Sequence, residues 1–396
     1  LDGVRVLAAE QMQALPYATQ LLARLGADVV KVEPPAGESG RASQPSMTDP
    51  EGRTVGATFL RNNLGKRSVA IDLKSEAGRQ LFLELAPRFD VVAENFKAGT
   101  MGRLGLGYDA VRAVHPKVIY VSVSGFGNNG SPYGSWPAYA SIVEAMSGIY
   151  DYTRRPGEPP RANPVGALGD ISSALFATIG ILAALRHRDL TGEGQQVDVA
   201  MLDATVAMTD IVTNLASLGQ PALPSPPPYI LDTFRAKDGW FVMQLVREHQ
   251  FERLADTLGR PEWRDDPRLA DRSGWGEHLD DVIRPGIEEW AATRTKLEAA
   301  EVLMAAGVAA GPCLASHEVI ADPHLAARNM LVAMPRTDGV EEPVLIPGNP
   351  VKLSNVPEDE EDRVPWVGEH TQSVLREELG LDDEKLAALT EAGIIS

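Results

Sequence analysis

The chain has 396 residues, 44% of them hydrophobic and 23% charged, as expected of a globular protein with two or three cored domains. Its net charge of −18 argues against a nucleic-acid partner, because phosphate binding needs a basic surface. Apolar stretches are broken by Asp, Arg or Gly before they would span a bilayer, residues 1–15 lack signal-peptide regions, and the single Cys313 rules out an internal disulfide or a cysteine-based zinc site, so the expectation is a cytoplasmic protein with no membrane partner and no metal.

Residues 3–9 (GVRVLAA) read as a buried strand. A helix is predicted over 16–25, with Pro16 in its first turn and Gly26 closing it, and a second strand over 28–34 (DVVKVEP). Strand, helix and strand in about thirty residues make a βαβ unit and predict a parallel sheet. The pattern continues with a helix at 76–88, a strand at 90–94, a helix near 108–114, a strand at 118–123 and another at 195–202 after the TGEG turn. Basic residues cluster in RNNLGKRS (61–68) and at Lys97 and Arg103.

Residues 1–205 thus predict the first part of a Rossmann-like α/β domain. A helix and a proline-rich linker follow at 206–228, then a smaller α+β domain at 229–325. Within that domain a strand is predicted at 239–246 and helices at 248–258 and 296–306, the latter opening on a Thr295-x-x-Glu298 capping box. Residues 326–396 complete the large domain, with a hairpin around Asp338-Gly339 and a helix at 368–380. The acidic run PEDEEDR (357–363) reads as a solvated loop.

The first βα turn carries no glycine where a pyrophosphate would approach, which disfavours a nicotinamide cofactor. ENFKAGTMGRLGLGYDAV (94–111) follows a strand end and offers the Asn95 amide, the Phe96 ring and the cations Lys97 and Arg103, the groups that hold an adenine and its phosphates; the plain alternative is a polar loop before an amphipathic helix. Asp170 sits between a glycine-rich turn and a long apolar run. A carboxylate there is costly to bury unless it caps the helix, is paired or is used.

These motifs occur in one order: LDGVRVL, GADVVKVE, VAENFKAGTMGRLG, SGFG at 124–127, GD at 169–170, TGEGQ at 191–195 and GEHT at 368–371. Together they resemble the class III CoA-transferases, which have acyl-CoA racemases as relatives. The resemblance implies that Asp170 is the nucleophile, attacking an acyl-CoA to form an aspartyl anhydride and then an aspartyl-CoA thioester. It implies that Gln13 lines the active site, that Asn95, Phe96, Arg103 and Lys97 bind coenzyme A, that Ile71 packs near the adenine and that Arg41 adds a phosphate contact. Tyr139 falls where the transferases carry a tyrosine contacting CoA or the active site and the racemases carry a histidine base, and tyrosine, with a pKa near ~10, is a poor base for an α-proton.

By the same resemblance the substrates are an acyl-CoA and a carboxylic acid, no cofactor is tightly bound, and the assembly is an interlocked homodimer. The sequence departs from the family in two places. SPPPYILDTF (225–234) stands where formyl-CoA transferases have a mobile tetraglycine loop, which argues against a formyl-CoA/oxalate pair, and Pro34 stands where one CoA-contacting arginine is found. An acyl-CoA racemase or isomerase, or a non-catalytic CoA-binding protein, are the alternative readings.

Overall fold

A computed structural model describes residues 1–396 except 153, 155–156, 163–165, 221–225, 357 and 359–362, and the side chains of 210–212. The chain divides into two compact units, Leu1–Gly219 with Ala327–Ser396, and Gln220–Ala326.

The large unit is built on six parallel strands: β1 (Arg5–Ala9), β2 (Asp28–Glu33), β3 (Lys66–Ala70), β4 (Val91–Glu94), β5 (Ile119–Ser124) and β6 (Gln195–Ala200). Their spatial order is β3-β2-β1-β4-β5-β6, that of a doubly wound Rossmann-like sheet. Helices α1 (Ala14–Arg24), α2 (Ala57–Asn62), α3 (Glu76–Leu85), α4 (Thr100–Arg103), α5 (Tyr108–Val114), α6 (Ala140–Met146) and α7 (Leu168–Thr191) connect them.

The period of two along β1 explains why its sequence is apolar throughout. Val6 and Ala8 face a core shared with Leu15 and Leu22 of α1 and Ala174, Ala177 and Ile181 of α7. Leu7 and Ala9 face the opposite core, with Leu81, Phe82 and Leu85 of α3 and Val374 and Leu375 of the helix Thr371–Leu379.

Strand β3 falls on the segment expected to be a basic cluster. Its cations are consumed internally: Lys66 is buried against Glu10 at 2.7 Å and Arg67 pairs with Asp28 at 2.7 Å. Helix α7 also departs from the sequence expectation, for it is long and apolar enough to cross a membrane by length and composition. Half of its apolar window is buried inside the protein, and Leu175, Phe176, Ile179 and Leu182 are exposed.

In the small unit, Ala309–Pro312, Trp240–Leu245 and Ile230–Arg235 form an antiparallel sheet in that order. Residues 230–234 of SPPPYILDTF, which stands in place of the tetraglycine loop, are therefore strand. The predicted helices appear at Glu248–Leu258 and Lys296–Ala305, the latter with its Thr295–Glu298 capping box. In the large unit, Leu331–Met334 and Val344–Pro347 pair as a hairpin. Residues 221–225 of the linker and most of PEDEEDR lie outside the described residues.

The TGEGQ motif has a local cause. Gly192 (φ 77) terminates α7 in the left-handed region, and a Cβ on Gly194 would lie 2.2 Å from the Val118 carbonyl oxygen beside β5. Gly194→Ala is expected to cost about 1–3 kcal/mol, the usual range for overpacking, read by chemical denaturation. The exposed neighbour change Glu193→Ala leaves the midpoint unchanged.

Candidate active site

In a doubly wound sheet the crevice lies beyond the strand C-termini, where the order reverses between β1 and β4. A cavity of about 330 Å³ opens there. It is lined by the turn after β1 (Gln11–Ala14), the loop after β4 (Asn95–Ala98), the end of β5 (Val123–Phe126), Tyr139 ahead of α6, and Asp170.

Asp170 does not cap α7. The N-cap is Ala167, and Asp170 is the third helical residue, its carboxylate without a hydrogen bond to any described residue. Burial, and then the charge of the nearby Glu144, push its pKa up to about 6. Both outweigh the helix dipole, which favours a carboxylate in the first turn.

Glu144 of α6 is the residue that sequence reasoning missed. It is buried; its Oε1 accepts the Gly169 N–H at 3.1 Å, and its Oε2 accepts the Tyr150 hydroxyl at 2.5 Å. The helix N-terminus therefore spends one of its free donors on Glu144 rather than on a ligand. The signal was present in the sequence as one acid in the otherwise apolar α6 stretch ASIVEAM.

Gln13 lines the same cavity, and its side-chain nitrogen is buried with no hydrogen-bond partner among the described residues. An unsatisfied buried donor facing a cavity is a costly arrangement unless a ligand accepts from it. Tyr139 is the N-cap of α6 and is 72% exposed at the cavity rim. Behind the rim, Phe126, Tyr133 and Trp136 pack ring against ring, with centroids 4.7–6.2 Å apart.

Other sequence-predicted residues divide clearly. Asn95 spends its amide on the protein: its Oδ1 accepts the Gln11 N–H and its Nδ2 donates to the Gln11 carbonyl, both at 2.9 Å. It clamps the β1–α1 turn to the β4 loop. Phe96 and Lys97 line the cavity, and Lys97, exposed, is the only cation among the described lining residues. Arg103 lies farther along this loop, exposed, with its Nη2 donating to Thr100 at 2.9 Å; it does not line the cavity.

Ile71 and Arg41 are not brought to the cavity. Ile71 is fully buried in the core on the far face of the sheet and bridges to Ile395. Arg41 is buried and committed to Glu33, with contacts at 2.7 and 2.6 Å, and lies over the Phe59 ring.

A Cβ on Gly169 would meet Val143 at 2.7 Å and Ala140 at 3.1 Å, so the Gly-Asp pair is a packing requirement that seats the carboxylate beside α6. With that arrangement in view, residues 1–371 match CoA-transferase family III. The chain belongs to that family. It is 35% identical to the formyl-CoA:oxalate CoA-transferase of Streptomyces avermitilis over all of this chain and 99% of that one. It is also 35% identical to the succinyl-CoA:mesaconate CoA-transferase of Haloarcula hispanica, over 95% of this chain and 96% of that one. A solved CaiB/BaiF family protein from Brucella suis superposes with a TM-score of 0.84 at 32% identity, covering 95% of this chain and 98% of that one.

Any step of this enzyme's reaction that uses the ionised form of Asp170 is subject to that raised pKa. Its rate should rise with pH through about 6 and level off above, because a raised pKa keeps the carboxyl protonated, and non-nucleophilic, at lower pH. Glu144→Gln retains an acceptor for Gly169 but removes the like charge, so the midpoint of the pH–rate profile should move downward. An unmoved midpoint would mean that burial alone sets it.

Proposed function

We propose that this transferase moves CoA from an acyl-CoA donor to a carboxylic acid through covalent intermediates on Asp170. The reading is carried by one observation: an unpaired, part-buried carboxylate shares a cavity with the orphaned amide donor of Gln13. Asp170 attacks the thioester carbonyl; the C–S bond breaks and the CoA thiolate leaves an acyl-aspartyl anhydride. The thiolate then attacks the aspartyl carbonyl, releasing the donor acid and leaving an aspartyl-CoA thioester. The acceptor carboxylate displaces the thiolate to form a second anhydride, and the thiolate takes the acceptor's acyl group, restoring Asp170. Splitting the transfer into covalent steps compensates for the weak nucleophilicity of a carboxylate. Gln13 donates to the oxygen that gains charge in each addition.

In this reading CoA enters as a substrate. Phe96 lies against the nucleotide, Lys97 and Arg103 meet its phosphates, and Tyr139 borders the acyl group. The racemase alternative needs a second base facing Asp170, and the other titratable residues described in the lining are Lys97 and Tyr139. The names of the relatives favour small carboxylic acids as partners. The enzyme acts in the cytoplasm as a homodimer, a reading supported by the exposed apolar residues Leu175, Ile179 and Leu182 along α7 and Ile142 and Met146 on α6.

Mixing the enzyme with a panel of acyl-CoAs, quenching with hydroxylamine and mapping peptides should yield a hydroxamate at Asp170. Asp170→Ala should lack both the adduct and turnover. Turnover by Asp170→Ala at more than a trace would overturn the mechanism. Lys97→Ala should raise KM for acyl-CoA about tenfold or less, as for the loss of one charge-assisted phosphate contact, with kcat nearly unchanged.

A further inference from the structure

The turn between β1 and α1 is held in a conformation its own residues disfavour. Met12 has φ 61, in the left-handed region that a residue with a Cβ avoids, and the next residue is Gln13. Something outside the turn must over-determine it.

That something is a carboxylate. Glu38 is 5% exposed; its Oε2 accepts the Met12 N–H at 3.1 Å and the Gly40 N–H at 2.5 Å. Its Oε1 lies 3.7 Å from Lys31 Nζ, and Lys31 also donates to the carbonyl of Glu10, just ahead of the turn, at 3.2 Å. A Cβ at Gly40 would lie 2.7 Å from Glu38 Oε1, so the glycine is what lets the carboxylate fold back over the chain. Asn95 fixes Gln11 from the other side. Within Gln11–Ala14, Met12 is the residue whose N–H Glu38 accepts.

We propose that Glu38 is a positioning residue for the transfer: by accepting the Met12 N–H it holds Met12 left-handed and thereby aims the Gln13 amide into the cavity it shares with Asp170. The inference rests on the reading of Gln13 as a donor to the reacting oxygen. If the bond is lost, Met12 relaxes and Gln13 swings with it, and misplacement of a catalytic group by about an ångström costs on the order of a hundredfold in rate.

The test has two readouts on the full-length enzyme. Amide hydrogen exchange over the peptide 8–15 reads the Met12 bond without reference to catalysis. In the wild type the Met12 amide should exchange slowly although the residue is 40% exposed; exchange at the free rate overturns the proposal before any variant is made. Glu38→Gln, whose amide oxygen still accepts, should keep the protection and a kcat within about threefold, whereas Glu38→Ala should lose the protection and about tenfold to a hundredfold of kcat, with KM for acyl-CoA within about twofold. Adding Met12→Gly to Glu38→Ala should restore most of that kcat, because glycine adopts a positive φ without strain. An unchanged kcat in Glu38→Ala, or a loss that Met12→Gly does not recover, overturns the assignment. Absence of any aspartyl adduct in the wild type contradicts the covalent mechanism instead and leaves the exchange result standing, so the two failures are separable.

Discussion

Where the N-terminus of α7 meets α6, the backbones approach so closely that a Cβ at Gly169 would overlap Val143 and Ala140. That contact sets the chemistry of the next residue. It places the Gly169 N–H on the buried Glu144 and brings the Asp170 carboxylate near a like charge, with no hydrogen bond of its own among the described residues. An ordinary N-cap would have satisfied the carboxylate and quenched it. Here its pKa, raised to about 6 by burial and by Glu144, leaves the ionised form available near neutral pH.

A second constraint lies beneath the turn that faces Asp170. Three buried carboxylates, Glu10, Glu33 and Glu38, interleave with three buried cations, Lys31, Lys66 and Arg41. Charges out of water persist only when paired and hydrogen-bonded. Lys66 meets Glu10, the Pro16 carbonyl and Asn63, and burial still draws its pKa down to about 8. The network joins β1, β2, β3 and the start of α1, so the rim of the crevice at the sheet's reversal point is a rigid, internally neutral block. Among the described lining residues the one cation is Lys97, on the loop after β4, in a protein whose overall charge is −18.

Much of this was legible in the sequence because the relevant signals are periodic or local. The runs VLAA and VVKVE mark strands buried on both faces, and the Thr295–Glu298 box announces its helix without tertiary help. Strand β3 was hidden because its first residues, Lys66 and Arg67, are charged and find partners only across the fold, in Glu10 and Asp28. Arg41, expected from the resemblance as a phosphate contact, pairs through Nε and Nη2 with Glu33, a local pairing that its sequence position does not announce. The two hydrogen bonds of the Asn95 amide close on the Gln11 backbone 84 residues away, a pairing that no local pattern announces. Glu144 shows in the sequence only as an acid in the mostly apolar stretch ASIVEAM, and its place beside Asp170 comes from a helix crossing that no short motif encodes.

The account stands on oxygen passing through Asp170. In the proposed sequence the aspartate surrenders one oxygen to the departing donor acid and regains one from the acceptor. Turnover with an acceptor acid labelled with oxygen-18 in its carboxylate, followed by mass spectrometry of the peptide carrying residue 170, reads that exchange directly. One oxygen-18 incorporated at Asp170 after a single turnover, rising towards two over many turnovers, and none in enzyme given the labelled acid without acyl-CoA, is the predicted result. Full turnover with an unlabelled Asp170 would contradict the mechanism.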